Sequence, residues 1–99
     1  MPTYTFYILH CKDPIILPVY IGVTSNLKQR LYDHKNITIN PNRLSHNTPL
    51  YQFIRSHGGW NNWSIRFQFK KVCSNFQHAK LIEKHLIECF PNHLNSKKI

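Results

Sequence analysis

The chain has 99 residues, with 13 lysines and arginines against 4 aspartates and glutamates, and a formal charge of +9. A hydrophobic fraction of 41% with 13% aromatics excludes a disordered polyelectrolyte and fits one domain, residues 1–99, around a modest core. No apolar run reaches the roughly 18 residues that a bilayer-spanning helix requires, so no membrane partner is expected.

The basic residues are spread along the chain rather than gathered in a tail. That pattern implies a folded surface for an anionic partner, nucleic acid before all others. A solubilising surface, a basic structural role in a nucleoprotein assembly and a membrane surface are the competing readings. The opening MPTYTFYILH lacks the basic region and small-residue cleavage site of an export signal, so an intracellular protein is expected. Cys11, Cys73 and Cys89 are odd in number, widely spaced and without a C-x-x-C pair. They suggest neither a disulfide framework nor a zinc site. Cys11 and Cys89 are expected to be small buried groups in a reducing compartment.

In chain order, Thr3–Cys11 alternates, with Tyr4, Phe6 and Ile8 on one side and Thr5, Tyr7 and Leu9 on the other, which predicts a strand. Lys12–Pro18, with two prolines and Asp13, is a loop. Val19–Thr24 predicts a second strand, paired with the first as an antiparallel hairpin. Phe6, Ile8, Val19, Ile21 and Val23 then fill one face, while Tyr7 and Tyr20 share the other. A helix is expected from an Asn26 cap, with Gln29 three residues on as in a capping box. Leu27 and Leu31 form its apolar edge, and Arg30 and His34 lie beside it at i,i+4. The polar stretch Asn36–Thr48 reads as a loop.

Thr48 as cap and Pro49 at the first helical position predict a second helix burying Leu50, Tyr51, Phe53 and Ile54. His57–Gly58–Gly59 ends it. Trp60–Trp63 is a short turn with two aromatic anchors, which suit packing better than base stacking. Ser64–Lys70 predicts a strand with Ile65, Phe67 and Phe69 inward. A third helix is expected from a Ser74 cap to Cys89 or Phe90, with Ala79, Ile82, Leu86, Ile87, Cys89 and Phe90 in one stripe. Pro91 stops it, and a short tail with a basic end follows.

Glu83 falls inside that stripe. A carboxylate there costs free energy unless something pairs with it. A salt bridge to an arginine, a metal site and a catalytic carboxylate each meet the requirement. Four acidic residues are too few for a carboxylate-rich two-metal cluster, whereas one carboxylate with waters and a substrate phosphate suits a single Mg²⁺. Arg30 and His34 are either a solvated helix face or a phosphate-recognition pair, since a guanidinium matches phosphate oxygens. Tyr7 and Tyr20 are either ordinary sheet aromatics or phenols that orient a water or phosphate. Their pKa would then have to fall, under the charge of Arg30 and a metal. Gly22 relieves crowding or admits substrate.

Taken in order, these parts resemble the GIY-YIG nuclease superfamily. Thr5-Phe6-Tyr7 stands at the first signature and Tyr20-Ile21-Gly22 at the second. VTSNLKQRLYDHK looks like the family's helix, with its arginine at Arg30 and its frequent histidine at His34. The glutamate falls on Glu83 and the late asparagine on Asn95 in FPNHLN. LYQFIRSHGGWNNWSIRFQF is similar to homing-endonuclease-like and large-DNA-virus members.

The resemblance implies an α+β fold, a small three-stranded antiparallel sheet flanked by about three helices. It implies a metal-dependent DNA endonuclease using Mg²⁺, with Mn²⁺ as substitute, bound at Glu83. Tyr7 would be the general base and Tyr20 its partner. Arg30 would steady the phosphate, His34 would help the leaving group, and Asn95 would fix the glutamate or the local backbone. Gly22, Lys28, Lys35 and Arg43 would contact DNA. The family's glycine and isoleucine are replaced here by Thr5 and Phe6, while the polar groups remain. With no separate DNA-binding domain in the sequence, specificity would come from the Asn36–Asn47 loop, from self-association or from a targeting protein. A fold of this kind without turnover, serving only to bind nucleic acid, is the rival reading.

Overall fold

Strand β1 (Thr3–Cys11) is the centre of the structure, a computed structural model that describes residues 2–95. It pairs antiparallel with β2 (Tyr20–Thr24) on one side and with β3 (Trp63–Val72) on the other, in the order β2-β1-β3. Three helices flank this sheet: α1 (Leu27–Ile39), α2 (Pro49–Ser56) and α3 (Phe76–Glu88). The predicted α+β architecture is therefore the observed one. The basic end of the tail, residues 96–99, lies outside the described residues.

Both faces of β1 are covered, which explains why its alternation is apolar against apolar. On one face Tyr7, Leu9 and Cys11 pack with Ile37 of α1 and with Leu50, Tyr51 and Ile54 of α2. On the other, Tyr4 and Phe6 meet Ala79, Ile82 and Leu86 of α3, and Ile8, Val19 and Ile21 meet Leu86, Ile87 and Phe90. The predicted hairpin register holds, with Tyr7 opposite Gly22 and Ile8 opposite Ile21. Val19 lies just before β2 and forms an isolated parallel bridge with His93 of the tail.

Several local expectations are corrected. Helix α1 does not end near Lys35 but continues to Ile39. Its Ile37 and Thr38 are buried one turn beyond His34, and Thr38 Oγ1 donates to the His34 carbonyl at 2.7 Å. Tertiary burial thus extends a helix through residues of weak helix propensity. Asn26 caps α1 through the Gln29 amide, but Gln29 turns its own side chain to Asp33 instead of closing a capping box.

The cap of α3 is Asn75, not Ser74; its side chain accepts from the His78 amide at 2.9 Å. Cys89 follows α3 as an exposed residue, whereas Cys73 is buried with Cys11. The predicted inward trio of β3 also breaks. Phe67 pairs with Ile8 but Ile65 pairs with Leu9, so Arg66 is an extra residue and a β-bulge. The bulge puts Ile65 on the Tyr7 face and leaves Phe67 and Phe69 on the Phe6 face, with Phe67 55% exposed.

Candidate active site

The hairpin places Tyr7 and Tyr20 on one face, and α1 lies across that face. The ring of Tyr20 is 6.3 Å from Tyr7 and 5.5 Å edge-on from His34. His34 is 0% exposed, with both ring nitrogens engaged. Nε2 lies 2.7 Å from the Tyr7 hydroxyl and Nδ1 lies 2.8 Å from the Tyr51 hydroxyl. Trp60 stacks on the imidazole at 6.0 Å, with 27° between the planes. Four aromatic side chains from β1, β2, α2 and the turn before β3 therefore enclose one histidine.

Burial, reinforced by the Arg30 charge, lowers the His34 pKa to about 3, so the ring is neutral at pH 7. A neutral imidazole donates through one nitrogen and accepts through the other, giving a directional Tyr7–His34–Tyr51 chain. The expected role of His34 as proton donor to a leaving oxygen does not fit this arrangement. It is closed off from solvent and joins two phenols.

Burial pushes the Tyr7 phenol well above the usual range, Tyr20 adds to that rise, and Arg30 opposes it without prevailing. Tyr51 is pushed up to about 12, chiefly by burial, again against Arg30. Of the two charges expected to lower the Tyr7 pKa, Arg30 by itself is outweighed by desolvation. Burial also works against the Arg30 charge, but the surrounding phenols of Tyr7, Tyr20 and Tyr51 hold its pKa above the ordinary value. Tyr7 is 1% exposed, whereas Tyr20 is half-buried, so Tyr20 is the signature phenol open to an incoming molecule.

Gly22, expected among the DNA contacts, is buried beneath the Tyr7 phenol. Lys28 and Lys35 are exposed on α1. The guanidinium of Arg43 is bonded to the Asn36 side chain rather than left free. Asn95 does fix local backbone: its side chain accepts from the Ile21 amide at 3.0 Å and donates to the Ile21 carbonyl at 2.6 Å. It thereby holds β2 next to Tyr20.

Glu83 is 7% exposed on α3, the helix of the opposite layer, and joins none of the tyrosine cluster's hydrogen bonds. Lys80, not an arginine, pairs with its Oε1 at 2.6 Å. Among the described residues, no group of three or more histidines, cysteines or acids is placed to share a metal. Glu83 can offer one hard anionic oxygen, a donor set that suits Mg²⁺ retaining most of its waters. The Lys80 ammonium already occupies the position of a compensating cation.

Tyr51 and Trp60 join the site although the sequence pattern marks them only as packing residues. The available signal was a tyrosine on the buried face of a short helix, since a buried phenol needs a polar partner.

A family model described as the GIY-YIG catalytic domain matches residues 3–95. Fold, signature tyrosines and match together define the class: the chain belongs to the GIY-YIG nuclease superfamily. No curated protein and no solved structure matches it. None of the described helices is long and apolar enough to cross a membrane.

Proposed function

We propose that this protein is a divalent-metal-dependent endonuclease that hydrolyses DNA phosphodiester bonds. The observation that supports it most is the gathering of Tyr7, Tyr20, Arg30 and His34 at one place on the sheet face. In this reading Arg30 holds the scissile phosphate and offsets charge developing on it. Tyr20, the accessible phenol, faces the attacking water. Tyr7 and Tyr51 act through His34 as positioning residues that fix the tyrosine cluster. This reverses the roles expected for the two signature tyrosines, and the burial of Tyr7 is the reason. Glu83, which stands on α3 outside the tyrosine cluster, would hold Mg²⁺ or Mn²⁺, and the metal would supply charge neutralisation to a phosphate that reaches both layers. Lys80 would then either share the carboxylate with the metal or give up Oε1 to it.

Supercoiled and branched DNA incubated with Mg²⁺ or Mn²⁺ tests the proposal. Wild type should nick or cut, and Glu83→Ala should abolish the activity. Tyr20→Phe should lower the rate by about 100-fold or more, and Tyr7→Phe by less. Equal cleavage by all variants, or none by wild type, removes the enzyme reading. The Glu83–Lys80 pair and the raised Tyr7 pKa favour a second reading, a nucleic-acid-binding module without turnover. DNA retention with no cleavage under any metal would select it.

A further inference from the structure

The sheet face opposite the tyrosine cluster is covered only in part. Helix α3 packs over β1 and β2 there, while Phe67 of β3 is left 55% exposed. Between strand and helix runs an open groove of about 380 Å³. Phe67 and Phe69 of β3 line one side, and Leu86 of α3 with Phe90 just beyond it line the other. Arg66, the extra residue of the bulge, is the one charged group among the described residues that line it.

Backbone and charge together define what fits this groove. Among the described residues β3 pairs with β1 only, so its other edge offers N–H and C=O groups in strand alternation. Another extended polypeptide supplies both donors and acceptors at that spacing; a phosphate backbone supplies no donors. Phe67, Phe69 and Lys71 alternate along the groove's face, and Gln68 and Lys70 lie on the other. Arg66, Lys70 and Lys71 have no acidic partner among the described residues. Strand neighbours that suit this row are apolar beside the phenylalanines and acidic beside the cations. A second copy of the chain does not suit it, since β3 against β3 would gather the same cations within a chain of charge +9.

We propose that β3 and its groove dock an extended acidic segment of a partner protein, which joins the sheet as a fourth strand. Apolar side chains of that segment enter the groove beside Phe67 and Phe69, and its carboxylates meet Arg66, Lys70 and Lys71. The groove lies across the sheet from the Tyr7–His34 cluster. The inference therefore goes beyond the nuclease reading and does not rest on it.

The test is fluorescence anisotropy of the full chain with a labelled synthetic peptide in which glutamate alternates with valine and phenylalanine. About eight residues are enough to lie along most of β3. Binding should saturate, and a peptide of the same composition with its glutamates grouped at one end should bind about tenfold more weakly or worse. Phe67→Ser should weaken binding by about tenfold. Arg66→Gln should weaken it by about three- to tenfold and reduce its salt dependence. Leu44→Ser, at an exposed apolar residue between α1 and α2, should leave it unchanged. Hydrogen exchange of β3 amides should slow when the peptide binds. If Phe67→Ser does not fold, Arg66→Gln and the exchange readout decide the matter.

Absence of saturable binding, equal binding of the two peptides, or an equal loss in Leu44→Ser overturns the proposal. A wild-type dimer in sedimentation that Phe67→Ser dissolves overturns it in favour of a second copy. Binding of a DNA oligonucleotide that Phe67→Ser abolishes overturns it in favour of nucleic acid. DNA cleavage by wild type leaves it untouched, because the catalytic reading concerns the other face.

Discussion

The Tyr7 phenol lies directly over Gly22, so that a Cβ added to Gly22 would overlap the ring and its hydroxyl. Glycine at this strand position is therefore a space requirement imposed by Tyr7, with no positive φ involved. Gly22→Ala should displace the Tyr7 ring from His34 and destabilise the fold by about 1–3 kcal/mol. Urea unfolding measures the loss. Unaltered stability would mean that the ring swings aside freely and that the cluster is not rigid.

His34 predicts a definite dependence of stability on pH. Its folded pKa of about 3 lies below the ordinary 6.5, so the unfolded state binds the extra proton. The stability it contributes is fully present above pH 6.5 and is lost as pH falls from 6.5 toward 3. The slope from this group is at most about 1.4 kcal/mol per pH unit. His34→Gln should be less stable than wild type at pH 7, and the gap should narrow on acidification. A gap that stays constant between pH 7 and pH 4.5 would contradict the burial of a neutral ring.

Asn95 makes two side-chain bonds to the backbone of one residue, Ile21, across a sequence separation of 74. Asn95→Ala should cost about 1–3 kcal/mol and sharply lower hydrogen-exchange protection of the Ile21 amide. Protection equal to wild type would show that the tail is not what holds β2.

The cysteines give a direct check on burial. Cys11 and Cys73 are buried and Cys89 is exposed, all as free thiols. A thiol reagent under native conditions should modify Cys89 alone, and unfolding should release the other two. Rapid native modification of Cys73 would be inconsistent with its packing against Tyr4, Phe6 and Ala79.

Strand alternation in Thr3–Cys11 and the Pro49 start of α2 were legible because each rests on local chemistry. The convergence of Tyr7, Tyr20 and Arg30 was legible only through the order of the signatures, since no local pattern states which side chains meet. In the sequence Tyr51 is indistinguishable from core packing, because its hydroxyl acquires meaning only when α1 places His34 against it. The Arg66 bulge left no local mark, since RFQF alternates equally well in either register. The extension of α1 past Lys35 was hidden for the same reason. Ile37 and Thr38 become helical through what they bury, not through what they prefer.

The bulge has a consequence of another kind. Among the described residues β3 is paired on one side only, with Phe67 and Val72 exposed along it. An unpaired strand edge with exposed apolar side chains is a template on which another chain can pair. Arg66 interrupts the ladder, and Arg66, Lys70 and Lys71 add like charges that a second molecule would have to bring together. The inserted arginine thus places an irregular ladder and a charge at the strand that is left with an unpaired edge among the described residues.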